Sequence, residues 1–405
     1  MEQYPVRKIE KPIDWCVTVP GSKSMTNRAL LMAALSDGTV TLDGVLFSDD
    51  SRHFISSLTA LGFDVLVEEE KRRVTVKGEG GTIPKKEAEI DVGSAGTAAR
   101  FLTAMLGMSD GSYVIQASGQ MKKRPMKDLF VLLEQTGAEI TYLEQEGFLP
   151  VKINGQRKDQ KLTVRLDISR STQFLSAMLL ISPMLPQGLH IQITSEKTDG
   201  SYIRITRNMM ENWGVQTQFD GKNYEVMPGA AYHKTTYAVE PDMSAACYFY
   251  AAAALTGGHV IVKNVHSTSM QGDMKFIDVL KQMGCAVTEE REGICVTGPK
   301  DGVYSGVDID MNDFSDQTMT LAALAPFAQT PTYIRNIGHI RLQESDRLSA
   351  IAKELTKMGI QVEEGEDFLV IYPGKPQPSL VSTYEDHRMA MAFSLIGLRL
   401  SLIHI

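Results

Sequence analysis

The segment PGSKSMTNRALL, beginning at Pro20, crowds Lys23 and Arg28 against Gly21, Ser22 and Ser24 where an apolar stretch begins. Free backbone N–H groups at a helix start, two hydroxyls and two cations in one turn suit a phosphate or a carboxylate. This is not a Walker A loop, because GxxxxGK[ST] is absent. MKKRPM, from Met121, offers Lys122, Lys123 and Arg124 ahead of Pro125; taken alone, such a run serves equally as a solvated face. RLQESDRLSAIAKEL, from Arg341, sets Glu344 and Arg347 three apart near a helix start, with Asp346 as an early-turn acid. A surface ion pair is the plain alternative there. YEDHRMAMAF puts His387 and Arg388 at another helix start, and VEPDMSAA and NDFSDQTMT each put an Asp ahead of an apolar helix. Asp is a common N-cap, so either acid alone is weak evidence.

These residues are placed by a repeat. An apolar helix rich in small residues, led by a polar turn, occurs six times: GSKSMTNRALLMAAL, GSAGTAARFLTAML, SRSTQFLSAMLLI, DMSAACYFYAAAAL, FSDQTMTLAALAPF and DHRMAMAFSLIGL. The starts fall 72 to 76 residues apart. Between them an amphipathic helix ends in Gly and leads into a strand, five times: LTALGFDVLV, LLEQTGAEITYL, MMENWGVQTQF, VLKQMGCAVTEE and ELTKMGIQVEEG. A fixed period of this kind marks repeated supersecondary units. The apolar bodies are alike and the heads differ: Lys23 with Arg28, Thr97 with Arg100, Ser171 with Gln173, Asp242, Asp316, and His387 with Arg388. Helix N-termini carry the positive end of the macrodipole, so several converging heads would hold a multiply anionic ligand. Capping explains Ser22 or Ser244, but a cation in a first turn opposes the dipole. Strands RRVTVKG, LTVRL, LHIQI, HVIVKNV and FLVIYP alternate with the helices, which predicts an α/β fold. The best boundary lies near residues 228–241, leaving three repeats in each half and predicting a ligand cleft between two domains.

Composition narrows the function. The chain has 405 residues, 43% hydrophobic and 22% charged, which suits two soluble domains with sizeable cores. A formal charge of −8 argues against nucleic acid or an anionic membrane surface as partner. Cys16, Cys247, Cys285 and Cys295 have no CxxC or Cys/His metal spacing and read as buried thiols. No run approaches 18 apolar residues and the N-terminal segment has no apolar signal core, so a cytoplasmic enzyme is expected.

Together PGSKSMTNRALLMAAL, SDDSRHFISSLTALG, GSAGTAARFL, KKRPM, STQFLSAMLL, VEPDMSAACYFYAAAAL, SMQGDMKFIDVLKQMG, ESDRLSAIAKELTKMG and EDHRMAMAFSL resemble the 3-phosphoshikimate 1-carboxyvinyltransferases, the EPSP synthases of the enolpyruvyl transferase family. The resemblance implies a two-domain inside-out α/β architecture with three βαβαββ repeats per domain. It implies an N-terminal domain of residues 21–239, and a C-terminal domain in which residues 1–20 join 240–405. It also implies transfer of the enolpyruvyl group of phosphoenolpyruvate (PEP) to the 5-hydroxyl of shikimate 3-phosphate, by a cytoplasmic monomer without cofactor or metal.

Carried over residue by residue, the resemblance implies that Lys23 contacts both substrates and that Ser24 and Arg28 take the carboxylate side of shikimate 3-phosphate. Ser171, Thr172 and Gln173 match the group that binds the 3-phosphate, and Tyr202 a Tyr of the same site. Gly96, Arg124, Arg347 and Arg388 match the PEP site. Asp316 matches the acid facing the 5-hydroxyl, Glu344 the acid near the PEP methylene, and His387 a member of that cluster. The types fit: guanidinium forks bind phosphate and carboxylate, and protonating C3 while the hydroxyl attacks C2 needs one acid and one base. Three departures stand out. Gln343 replaces the family Lys in LQESDR, and Ser94 and Phe101 replace Asn and Pro in SAGTAARF, which is expected to tilt the helix behind Gly96 and alter inhibitor fit. The sequence ends in LRLSLIHI, where the family continues with a strand and a KTFP helix whose Lys reaches PEP; an incomplete sixth repeat and weaker PEP binding are expected. UDP-N-acetylglucosamine enolpyruvyl transferase is the nearest alternative, but ASGQMKKRPM has no Cys where that enzyme carries one. A non-catalytic anion-binding relative is the other.

Overall fold

The computed structural model describes residues 4–169, 171–400 and 403–404. The chain forms two compact units, Pro20–Glu240 and Met1–Val19 with Pro241–Ile405. The first unit contains helices α1 (Lys23–Leu35), α2 (Asp49–Ala60), α3 (Gly96–Gly107), α4 (Lys127–Gln135), α5 (Gln173–Leu180) and α6 (Ser201–Asn212). The second contains α7 (Met243–Thr256), α8 (Lys275–Gln282), α9 (Thr318–Leu324), α10 (Arg347–Lys357) and α11 (His387–Gly397).

The two kinds of helix follow from their sequences. α1, α3 and α5 are apolar nearly all round, are buried on nearly every side and pack on one another; α7 and α9 do the same in the other unit, and α11 packs on both while leaving Met391 exposed. A helix without a polar face has nowhere to go but a core. Many strands, by contrast, alternate: Leu162–Leu166 buries Leu162, Val164 and Leu166 and exposes Thr163 and Arg165. Each sheet therefore covers the apolar helices with one face and meets water with the other.

The second helix of each repeat ends identically. Gly62, Gly137, Gly214, Gly284 and Gly359 have φ of 93°, 91°, 98°, 102° and 83°. In each case the next residue's N–H reaches the carbonyl five residues back, as in Phe63 to Leu58 and Ile360 to Leu355 at 3.1 and 3.0 Å. This is a Schellman stop, and the left-handed φ is why Gly recurs there.

Among the described residues, five four-stranded sheets share one plan, a parallel pair followed by two antiparallel pairings. Glu87–Asp91, Ser112–Gln116, Val151–Asn154 and Glu139–Tyr142 form one in that order. Two sheets take their first strand from far along the chain. Asp37–Asp43 pairs in parallel with Thr236–Ala238, and His259–Lys263 with Asp14–Val17. After α11, Ile403–His404 pairs antiparallel with Pro5–Val6. Ser401, Leu402 and Ile405 lie outside the described residues, as does Arg170.

The thiol expectation needs one correction. Cys247, Cys285 and Cys295 are buried, but Cys16 is exposed, because its strand is the edge of its sheet and its side chain points away from the helices. No helix among the described residues is long and apolar enough to cross a membrane.

Candidate functional site

Each unit carries its own cluster of the residues singled out above, and the two clusters differ in charge. In the unit Pro20–Glu240 the heads of α1, α3, α5 and α6 supply mostly cations. Lys23 opens α1 and pairs with Asp50 of α2 at 3.4 Å. Arg28, one turn further on, is 2% exposed. Its Nε donates to Thr206 Oγ1 at 2.8 Å, Nη1 to the Ser24 carbonyl at 2.9 Å and Nη2 to the Tyr202 carbonyl at 3.1 Å. Thr206 passes its own proton to Ser176 or the Tyr202 carbonyl, at 3.0 and 2.8 Å, so one guanidinium ties α1 to α6 and, through Thr206, to α5. Phe101 of α3 faces the same guanidinium, 5.4 Å from its ring centre. These acceptors are uncharged oxygens and a ring. Burial lowers the Arg28 pKa to about 10, which still leaves the side chain charged at neutral pH.

Gly96 is the first residue of α3, and two guanidiniums close over it. A side-chain carbon at Gly96 would stand 2.6 Å from Arg100 Nη1 and 2.7 Å from Arg124 Nη1. Arg124 ends the short turn Met121–Lys123, whose Lys122 is held by Glu144 at 2.5 Å. Ser171 Oγ accepts from the N–H of Gln173 at 3.3 Å, with Thr172 as the N-cap residue of α5. The Gln173 Oε1 atom is buried and has no hydrogen-bond partner among the described residues. An unpartnered buried carbonyl beside a helix start is a group waiting for a donor.

In the other unit the heads of α7, α9, α10 and α11 assemble carboxylates around two arginines. Arg347, the first residue of α10, is 1% exposed and is surrounded. Nε donates to Asp386 Oδ2 at 2.8 Å, Nη1 to Asp316 Oδ1 at 3.0 Å and to the Gln343 side-chain carbonyl, and Nη2 to Glu344 Oε2 at 2.7 Å. Arg388 Nη2 reaches the other Asp316 oxygen at 2.9 Å. The Glu344–Arg347 pair thus joins a buried guanidinium to a partly exposed carboxylate rather than two surface groups. Burial alone would depress the Arg347 pKa, but Asp316, Glu344 and Asp386 outweigh it and hold it above the usual guanidinium value. Burial likewise opposes ionisation of Asp386, and Arg347 overrides it, leaving Asp386 below the usual carboxylate value. His387 follows Asp386 as the first residue of α11, and Asp386 caps that helix by accepting the Arg388 N–H at 2.9 Å.

Two cap readings change. Ser22 is the N-cap residue of α1 but makes no side-chain cap bond, and Ser244 sits inside the first turn of α7 with its hydroxyl turned to Asp273. Asp242, not Ser244, caps α7 by accepting from the Ala245 N–H at 3.1 Å.

Residues 7–405 match the family model described as EPSP synthase (3-phosphoshikimate 1-carboxyvinyltransferase). The chain belongs to the EPSP synthase family. It is 41% identical over 400 residues to the 3-phosphoshikimate 1-carboxyvinyltransferase of Trichormus variabilis, covering 98% of this chain and 93% of the relative. The enzyme of that name from a Nostoc species is 42% identical with the same coverage. Among solved structures, an EPSP synthase from Acinetobacter baumannii superposes with a TM-score of 0.82 at 26% identity, covering 100% of this chain and 94% of that one.

Against the EPSP synthase pattern, the local departures have structural counterparts. Gln343 gives Arg347 an acceptor, which a Lys at that position cannot do. Phe101 is fully buried in an α3 that runs unbroken from Gly96 to Gly107, and its ring is applied to Arg28. Residues passed over in the sequence are Asp50, Thr206, Asp273, Gln317 and Asp386. Asp50, Asp273 and Asp386 lie inside SDDSRHF, SMQGDMKF and EDHRMAM, so the motifs held them, but nothing in a single sequence says which acid faces which cation.

Proposed function

We propose that this chain transfers the enolpyruvyl group of phosphoenolpyruvate to the 5-hydroxyl of shikimate 3-phosphate, releasing phosphate on the route to aromatic amino acids. The observation that carries this reading is the family match along residues 7–405. The charge contrast between the clusters supports a division of labour. Both substrates carry a phosphate and a carboxylate, and the cationic cluster offers Lys23, Arg28 and Arg124 for them. In this reading Lys23 contacts both substrates. Ser24 and Arg28 take the carboxylate side of shikimate 3-phosphate, and Ser171, Thr172, Gln173 and Tyr202 its phosphate and ring. Gly96, Arg124, Arg347 and Arg388 serve PEP, with Gln343 steadying Arg347.

The acidic cluster then supplies proton transfer. Asp316 takes the 5-hydroxyl proton as that oxygen attacks C2, and Glu344, with His387 as a member of the same proposed cluster, delivers a proton to C3. The tetrahedral adduct expels phosphate by breaking its C2–O bond while C3 gives up a proton and the double bond re-forms. Carbon oxidation state is unchanged overall, so no nicotinamide or flavin is called for. The reading is of a monomer in the cytoplasm with no nucleic-acid partner, which the −8 charge supports. Phosphate release from PEP is the test. It is expected to require shikimate 3-phosphate; release supported by UDP-N-acetylglucosamine instead, or by neither, overturns the reading.

Gly96→Ala probes the PEP assignment. The added carbon would fall within 2.7 Å of Arg124 Nη1, so the guanidinium must retreat. The KM for PEP is expected to rise by about tenfold or more, with a small change in kcat and none in shikimate 3-phosphate affinity. Steady-state kinetics with each substrate varied in turn decides it, and an unchanged KM for PEP removes Gly96 from that site.

A further inference from the structure

Asp273 lies in the short turn Gly272–Met274 leading into α8, is 8% exposed, and is used by no step above. Its Oδ2 receives the Gln317 Nε2 at 2.9 Å and the Ser244 hydroxyl. The donors come from two different elements. Ser244 is in the first turn of α7, and Gln317 closes the turn Asn312–Gln317 directly after Asp316. A hydroxyl has one proton. With that proton committed to Asp273, Ser244 Oγ keeps its lone pairs toward Arg388 Nη2 at 3.4 Å. The same Nη2 donates to Asp316 Oδ2 at 2.9 Å.

We propose that Asp273 is a positioning residue for enolpyruvyl transfer: through Ser244 and Gln317 it fixes Arg388 and Asp316 against each other, and its charge sets how strongly Asp316 holds a proton. This rests on the reading in which Asp316 takes the hydroxyl proton. The surroundings make the charge count. α7 contributes Asp242, Cys247 and Tyr248. The turn Asn312–Gln317 contributes Asp316 and also Asp313, which is occupied by Lys275 of α8 at 2.6 Å. α11 contributes Arg388. Asp273, which is buried, and Asp316, which is partly exposed, thus flank the Arg388 guanidinium, and the charge of Asp316 opposes ionisation of Asp273. Burial first, then Asp316, push Asp273 up to about 6, with Arg388, Ser244 and Gln317 pulling the other way.

Asp273→Asn keeps the shape and removes the charge. Asp273 carries its charge only above about 6, so Asp273→Asn is expected to remove the inflection near that pH from the kcat/KM profile and to leave the limb below it in place. At pH 8 kcat should fall by about three- to tenfold, because a base that holds its proton less strongly is a poorer acceptor. Ser244→Ala breaks the bridge and keeps the charge, so it should raise the KM for PEP and keep the inflection that Asp273 causes. Thermal melting gives a readout free of turnover. An acid whose pKa is raised in the folded state loses its stabilising contribution as pH climbs through about 6. The melting temperature of Asp273→Asn relative to the parent should therefore rise between pH 5 and pH 8. A wild-type chain without shikimate-3-phosphate-dependent phosphate release overturns the reading of the reaction. An active wild type whose Asp273→Asn profile superimposes on it, with Ser244→Ala kinetically silent, overturns the role of Asp273.

Discussion

Arg347→Met is expected to destabilise the protein by about 3–5 kcal/mol at pH 7, the usual loss when one partner of a buried ion pair is removed. The reason is what stays behind. Asp386 is fully buried at its side chain, Asp316 is 13% exposed and Glu344 24%, and Arg347 donates to all three. Met fills much of the space but neutralises nothing. Against a typical domain stability of about 5–15 kcal/mol, such a loss is large.

The pH dependence separates this cause from a packing defect. In the parent, Asp386 is depressed below its ordinary value, so its contribution is complete above the unfolded pKa of roughly 4 and is lost as pH falls through the lower folded value. In Arg347→Met the same carboxylates are buried without their cation, and each is relieved by protonation. Acidification from pH 7 to pH 5 should therefore narrow the gap in melting temperature between parent and variant. A loss below about 1 kcal/mol, or a gap independent of pH, would mean that water or Arg388 already screens these acids.

How far the sequence reaches is visible in particular segments. The six apolar helices and five helix–Gly–strand pieces are legible because each is dictated locally: an all-round apolar helix must be buried, and the Schellman Gly must adopt positive φ. The partnering of Asp14–Val17 with His259–Lys263 is different. Nothing local in a four-residue strand names its neighbour some 240 positions away, and only the family resemblance pointed to the crossover. The same holds for side chains. Glu344 with Arg347 is legible at a spacing of three, and Asp316 is legible as a repeat head. That Asp386, Asp316 and Glu344 converge on one guanidinium is a fact of three helix starts meeting, and helical period says nothing of it. Asp273 was hidden for the same reason, since its partners come from α7 and the turn before α9.

Asp316→Asn is expected to lower kcat by about 100- to 10,000-fold, the range for loss of a positioned general base. Both of its oxygens are engaged, Oδ1 by Arg347 at 3.0 Å and Oδ2 by Arg388 at 2.9 Å. An Asn can satisfy only one of these donors, because its NH₂ group faces the other guanidinium with like polarity. Arg347 retains Asp386, Glu344 and Gln343, so Arg388 is the group that loosens. The KM for PEP should therefore rise, but by less than about tenfold, and shikimate 3-phosphate affinity should change little, since apart from Asp316, which faces only its 5-hydroxyl, its proposed ligands lie in the other unit. Stability should fall far less than in Arg347→Met, because the change removes one negative charge from an acid-rich cluster instead of its buried cation. The two variants thus separate: one is defective in folding with a pH signature, the other is folded and slow. Kinetics and melting on the same preparation decide the point. An Asp316→Asn enzyme turning over within a factor of about three of the parent would assign the base to another group; Glu344 is then the nearest carboxylate still joined to Arg347, at 2.7 Å.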